Sequence, residues 1–213
     1  MKWIRVCLDL LFPRRCTGCR ALGDFLCTAC LNSIPVHSTP MMREPEWILD
    51  GLFVVASYEK GSLLQTAIKT MKYRHAPALA DRLGEWMGHR VPLERFRTFQ
   101  LVAVPLHVKR ERERGYNQAR LLAAGVASVL MLPMTEPLQR HRYTSPQAQL
   151  SREKRLKNLE NSFSIRGSPV LLNKKFILVD DVCSTGATMN ECARVLRAVG
   201  AISVYGLVLA RGG

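Results

Sequence analysis

The chain has 213 residues, 47% of them hydrophobic, and sets 31 lysines and arginines against 17 acids for a formal net charge of +14. That is enough apolar material for one good core with a small appended module, and too much for a chain disordered in bulk. The positive balance points to an anionic partner (nucleic acid, a phosphorylated metabolite or an acidic membrane surface), with a merely solvated basic surface as the alternative.

The amino terminus, MKWIRVCLDLLFP, is basic and apolar, but Arg5 and Asp9 interrupt it and no small-residue cleavage site follows, so a signal peptide is not expected. Trp3, Ile4, Cys7, Leu8 and Leu11 fall at helical spacing and predict a short packed helix ending at Pro13. The longest uncharged stretch, Leu121 to Met134, contains Gly125 and Pro133 and falls short of the roughly 20 residues a membrane-spanning helix needs. The expectation is a cytoplasmic protein without a membrane span.

Four of the seven cysteines form Cys16-x2-Cys19-x7-Cys27-x2-Cys30. Each close pair makes a knuckle whose sulfurs converge, and two knuckles supply the tetrahedral thiolate set that Zn2+ prefers. The alternative, two disulfides, belongs to secreted chains. A closed four-sulfur site is structural, and the segment has so little apolar material that the metal would supply much of its folding energy. Cys7 is expected in the first helix. Cys192 lies with Met189, Leu196 and Val199 on one apolar helical face, and Cys183 lies in the loop itself, with nothing in the sequence to mark it as reactive.

From Leu31 to Pro45 proline, methionine and polar residues suggest a hinge. The expected division is a zinc-ribbon-like module over residues 1–45 and a second domain over 46–213. Next come a strand in GLFVVASY, helix from Leu63 to Arg90 broken at Pro77, a buried strand from Leu101 to Pro105 and a helix in NQARLLAAGVASVL. The basic, proline-interrupted connection Gln139 to Arg166 follows, with helical character at Arg152–Leu159; connections of that length are commonly lids or binding loops. A strand at Phe176–Asp180, a helix at Ala187–Val199 and a strand at Ile202–Leu209 complete the chain. The alternation predicts an α/β fold, a mostly parallel sheet with helices on both faces.

The segment ILVDDVCSTGAT carries the chemistry. The strand Ile177–Val179 should deliver Asp180 and Asp181 to its carboxyl end, the edge where open parallel sheets bind ligands. The following loop leads into a helix, so backbone N–H groups and the positive helix end meet there, with Gly186 allowing close approach and Ser184, Thr185 and Thr188 adding hydroxyls. Such a cradle suits a phosphate monoester, and carboxylates beside it suit a diol. Together they fit a ribose 5-phosphate. The rival nucleotide-triphosphatase reading needs a G-x-x-x-x-G-K-[ST] loop, which the chain lacks.

ILVDDVCSTGAT resembles the signature of type I phosphoribosyltransferases. With VAVPLHVKRERERGYNQARLLA (102–123), SPQAQLSREKRLKNLENSF (145–163) and the four-cysteine start, nearly the whole chain resembles the ComF family of competence-associated, phosphoribosyltransferase-like proteins, which includes GntX. The resemblance implies phosphoribosyl pyrophosphate (PRPP) as ligand together with Mg2+. Asp180 and Asp181 would hold the ribose hydroxyls and serve as the catalytic acids. Val182, Cys183, Ser184, Thr185, Gly186, Ala187 and Thr188 would surround the 5-phosphate. Pro105, Leu106 and His107 match the pyrophosphate loop, with Lys109, Arg110, Arg112 and Arg114 at the anionic end, and Gln147, Arg152, Arg155 and Asn158 match a hood that closes over the site. His107 is not expected to be a base. The acceptor is not legible, so two functions stay open: a phosphoribosyltransferase associated with DNA uptake, or a non-catalytic protein that binds single-stranded DNA or a helicase-like partner and keeps the sugar-phosphate site for regulation.

Overall fold

The computed structural model describes residues 14–37, 41–74, 76–143, 159, 161–167 and 171–212. In chain order the elements are α1 (Thr28–Asn32), β1 (Met41–Met42), β2 (Gly51–Ser57), α2 (Leu63–Tyr73), α3 (Pro77–Gly88), α4 (Leu93–Phe96), β3 (Gln100–Ala103), α5 (Val108–Arg114), α6 (Gln118–Leu130), β4 (Met134–Thr135), β5 (Leu138–Arg140), β6 (Phe163–Ile165), β7 (Lys175–Cys183), α7 (Ala187–Ala198) and β8 (Ser203–Arg211). The main sheet has six strands in the order β1-β2-β8-β7-β3-β4. Only β1 runs antiparallel to its neighbour.

The interior strands are apolar runs because a sheet covered on both faces has no side to leave polar. Leu52 to Ala56, Phe176 to Val179 and Val204 to Ala210 are buried throughout, Gly206 included. The break expected at Pro77 is there: α2 starts on Ser62, whose hydroxyl accepts from Gln65 N at 3.1 Å, and α3 takes Pro77 at its first turn, where a missing N–H costs nothing. Helices α3 and α6 cross at touching backbones. A Cβ at Gly84 would lie 2.4 Å from the Leu122 carbonyl oxygen, and one at Gly125 2.6 Å from that of Asp81. On the edge beside α4, Phe96 packs edge-on against Phe53 and Phe99, with centroids 5.4 and 5.0 Å apart.

Connectivity decides where a ligand has room. From β3 the chain passes through α5 and α6 to β4 on one side, whereas from β7 it passes through α7 to β8 on the other. Parallel crossovers share one hand, so opposite directions put α6 and α7 on opposite faces. The loops leaving adjacent strands β3 and β7 therefore diverge and open a crevice at their carboxyl ends.

Several boundaries differ from expectation. Strand β7 does not end at Asp180 but continues to Cys183, because residues up to Cys183 pair with β8 as far as Arg211. Cys183 is thus the last residue of a strand and buried, not an open loop thiol, and burial followed by the Asp180 charge pushes it up to about 11. Met189, Cys192 and Leu196 are buried on α7 as expected, but Val199 lies beyond the helix end and is exposed. The basic run after His107 is a helix, α5, capped by Gly115 in the left-handed region. Around the long basic connection, β5 and β6 form an antiparallel pair with Leu138 opposite Ile165. The expected first helix with Cys7, and the residues Gln147, Arg152, Arg155 and Asn158, lie outside the described residues. Among the described residues no helix is long and apolar enough to cross a membrane.

Candidate functional site

Asp180 and Asp181 alternate across β7, so the pleat sends them to different faces. Asp181 is buried and its Oδ2 lies 2.9 Å from Lys72 Nζ, at the end of α2. Burial works against the ammonium, but the Asp181 and Asp180 charges outweigh it and raise the Lys72 pKa. Asp180 is half-buried and accepts a hydrogen bond from the Asp181 N–H at 2.8 Å. Burial first, then the neighbouring Asp181 charge, push its carboxyl up to about 7, against the opposing pull of Lys72 and Arg140. Asp180 thus keeps its proton to a higher pH than a solvated carboxyl, the usual outcome beside another carboxylate.

Beyond Cys183 the chain turns through exposed Ser184 and half-buried Thr185 to Gly186, which adopts φ +78° as the N-cap of α7. Any other residue would be strained there, and a Cβ would lie 2.9 Å from the Trp47 indole nitrogen. The cap position offers no side chain to the helix, and the first turn holds no acid. Thr185 Oγ1 makes one long contact, 3.4 Å, with the Ala187 N–H. Val182, Ala187 and Thr188 complete this stretch. A helix start without a side-chain cap has donors to offer an anion.

Across the crevice, Pro105, Leu106 and His107 link β3 to α5. His107 caps α5: its Nδ1 accepts from the Lys109 N–H at 3.1 Å. The loop is held from below by Asn117, whose Nδ2 donates to the Val104 carbonyl at 3.1 Å. Tyr143, the last described residue before the long connection's undescribed stretch, sits edge-on to His107, with its ring 4.9 Å from Lys109 Nζ and 5.9 Å from the Arg110 guanidinium. Arg114 bonds Gln118 and faces the Tyr73 ring, close enough to Lys72 to oppose its charge. Arg112 is exposed.

Lys72, Arg140 and Trp47 were missed by motif reading. Lys72 is one charged residue at the end of an amphipathic helix, and nothing local marks it as the partner of a residue more than a hundred positions away. Arg140 on β5 is largely desolvated, and this, followed by the Arg110 charge, lowers its pKa. Its charge in turn acts on Asp180. Trp47 is held by Arg211, whose guanidinium lies 5.5 Å from its ring and pairs with Glu44 at 2.9 Å.

At the other end of the chain the Sγ atoms of Cys16, Cys19, Cys27 and Cys30 all lie within 4.8 Å of one another. Cys19 and Cys27 sulfurs are 3.6 Å apart, close to the roughly 3.8 Å edge of a tetrahedral zinc–thiolate site. Burial opposes a charge on Cys16, but N–H groups of Cys27, Cys19 and Gly18 bring it down to about 6. Hydrogen bonds to Cys16 and Cys27 push Cys30 up to about 12. The set can hold a metal ion.

A phosphoribosyl transferase domain model matches residues 117–213, which takes in β7, the loop after it and β8. The chain is 30% identical over 211 residues to competence protein F of Haemophilus influenzae, covering 92% of this chain and 90% of the relative. It belongs to the competence protein F family. Within that family, the DNA utilization protein YhgH of Escherichia coli K12 is 31% identical over 230 aligned positions, covering 95% of this chain and 99% of the relative. Among solved structures, the glutamine PRPP amidotransferase of B. subtilis overlaps 63% of this chain and 26% of its own, at 19% identity and a TM-score of 0.43.

Proposed function

We propose that the protein binds PRPP with Mg2+ in the crevice between β3 and β7, and that this binding serves DNA uptake or the use of external DNA in the cytoplasm. The observation that carries the reading is the conjunction, on one edge, of an acid pair, an uncapped helix start at a left-handed glycine, and the cations Lys72, Arg110, Arg114 and Arg140. Asp180 and Asp181 accept from the ribose hydroxyls. The backbone from Val182 to Thr188, with the Ser184, Thr185 and Thr188 hydroxyls, holds the 5-phosphate. The turn Pro105–His107 presents backbone to the pyrophosphate, and Lys109, Arg110 and Arg114 balance its charge. Gln147, Arg152, Arg155 and Asn158 belong to the hood that excludes water, which would otherwise hydrolyse the donor.

The acid pair, matched in direct contact by Lys72 alone among the described residues, has oxygen lone pairs to spare for a hard cation or its water shell, and so fits Mg2+. When bound, Mg2+ would neutralise charge that builds on pyrophosphate as its bond to the anomeric carbon breaks. Zn2+ in the four-cysteine set is structural. The names of the relatives favour a DNA-linked role, in which a single strand or a helicase-like protein approaches the basic α5 and the connection beyond Tyr143.

Calorimetry with PRPP and Mg2+ on the wild type and on Asp180→Asn/Asp181→Asn tests the site. Binding should fall at least about tenfold in the variant, the loss expected from two charge-assisted hydrogen bonds. Equal affinity would remove the ribose assignment. Pyrophosphate release that depends on one added acceptor marks an enzyme, and tight binding without release marks a regulatory binding protein.

A further inference from the structure

A cavity of about 390 Å³ lies between the four-cysteine segment and α2. It is separate from the crevice: none of its lining residues belongs to the acid pair, the loop after β7 or the turn before α5. Arg14, Arg15, Arg20 and Arg74 line it with Thr17, Thr66, Thr70, Cys16 and Phe25, and no acid is among the described residues that line it. Arg15, Arg20 and Arg74 bring three guanidiniums to one hollow, an arrangement that suits an anion whose oxygens several of them can fork onto.

The wall opposite the cysteine segment is a single helical face. Thr66, Thr70 and Arg74 fall four residues apart, so they share one face of α2 and its end. Lys72 leaves the helix on another side to meet Asp181.

We infer that this cavity is a second anion site, and that its ligand is a nucleoside phosphate, free or at the end of a nucleic acid strand. Phosphate oxygens accept from the Arg20 and Arg74 guanidiniums. The volume exceeds what a bare phosphate fills and falls in the range of small-molecule sites. Phe25 offers a ring to a base, and already has the Arg14 guanidinium 5.6 Å from its centroid. The site is built half by the cysteine knuckle and half by α2, so it forms only when the two pack together.

The test uses the full chain and two probes, adenosine 5′-monophosphate and a short oligothymidylate, each followed by calorimetry. In the Asp180→Asn/Asp181→Asn background, which silences the ribose 5-phosphate site of the crevice, at least one probe should still bind, and adding Arg20→Glu/Arg74→Glu should weaken it by about tenfold or more. Loss with both probes shows a site for the nucleotide itself, and loss with the strand alone places the phosphate in a strand. Metal content and near-ultraviolet circular dichroism report whether the combined variant is folded, and Arg74→Glu alone, outside the cysteine segment, repeats the measurement if it is not. Unchanged affinity for both probes in the arginine variants, or loss of both in the aspartate variant, overturns the second site.

Discussion

In the amino-terminal segment four sulfurs lie within 4.8 Å of one another, and among residues 14–34 only Cys16, Leu26, Leu31 and Ile34 are buried apolar side chains. Along β7, by contrast, Phe176 to Val179 are all buried and the strand is paired on both sides, with β3 and with β8. The first cluster is assembled by short-range chain geometry: Cys27 N–H donates to Cys16 Sγ at 3.3 Å, and Thr17 N–H to the Phe25 carbonyl at 2.8 Å. The second is assembled by a sheet that exists whether or not a ligand is present. Two binding sites in one chain can therefore depend on their ligands to opposite degrees. Thiolates brought within van der Waals range need a cation to remain there, whereas carboxylates on a paired strand are held by backbone hydrogen bonds and need only have their charge managed.

The largest expected effect falls on the sulfurs. Cys27→Ser should lower bound zinc from one per chain, by elemental analysis. It should also remove a large part of the roughly 10 kcal/mol that such a metal contributes to small zinc-dependent folds. A variant that keeps a normal melting temperature without metal would show that Leu26, Leu31 and Ile34, with the Arg82 bridge to Asp24 at 2.7 Å, suffice to hold the segment.

A smaller effect is expected where charge is managed by a partner. Lys72→Met leaves the Asp181 carboxylate buried without its ammonium and should cost about 3 kcal/mol in chemical denaturation. Adding Asp181→Asn should recover most of it, since the uncompensated charge is gone. Additive losses in the double variant would mean that the 2.9 Å contact carries no coupling.

The smallest is a pH effect. Asp180 is pushed up to about 7 from an ordinary 3.8, so the folded chain binds this proton more tightly than the unfolded one. Its contribution to stability is present below the unfolded value and is lost as pH rises from about 4 to about 7. Asp180→Asn has no such proton to lose; the gain would be about 4 kcal/mol for a fully desolvated group, and solvent at this half-buried carboxyl cuts the expected gain across that window to about 1–2 kcal/mol. Urea denaturation at about pH 5 and about pH 7.5 measures it. Parallel curves for the two proteins would mean that Asp180 ionises like a solvated carboxyl.

What the sequence by itself determined is whatever depends on neighbours along the chain. The cysteine spacing, the apolar runs of β2, β3, β7 and β8, the break at Pro77 and the glycine at the start of α7 are all local, because hydrophobic periodicity, proline geometry and positive φ act within a few residues. The acid pair and its loop were readable for the same reason. What only the tertiary structure decided is what meets those groups from afar. The end of β7 moved from Asp180 to Cys183 because β8 extends to pair with it. Lys72 reaches Asp181 from another element, Trp47 covers Gly186 from before β2, and Arg140 comes from a hairpin whose strands lie more than twenty residues apart. No periodicity encodes such meetings. They follow from the order in which six strands are laid into one sheet, and that order is set by packing the whole core at once.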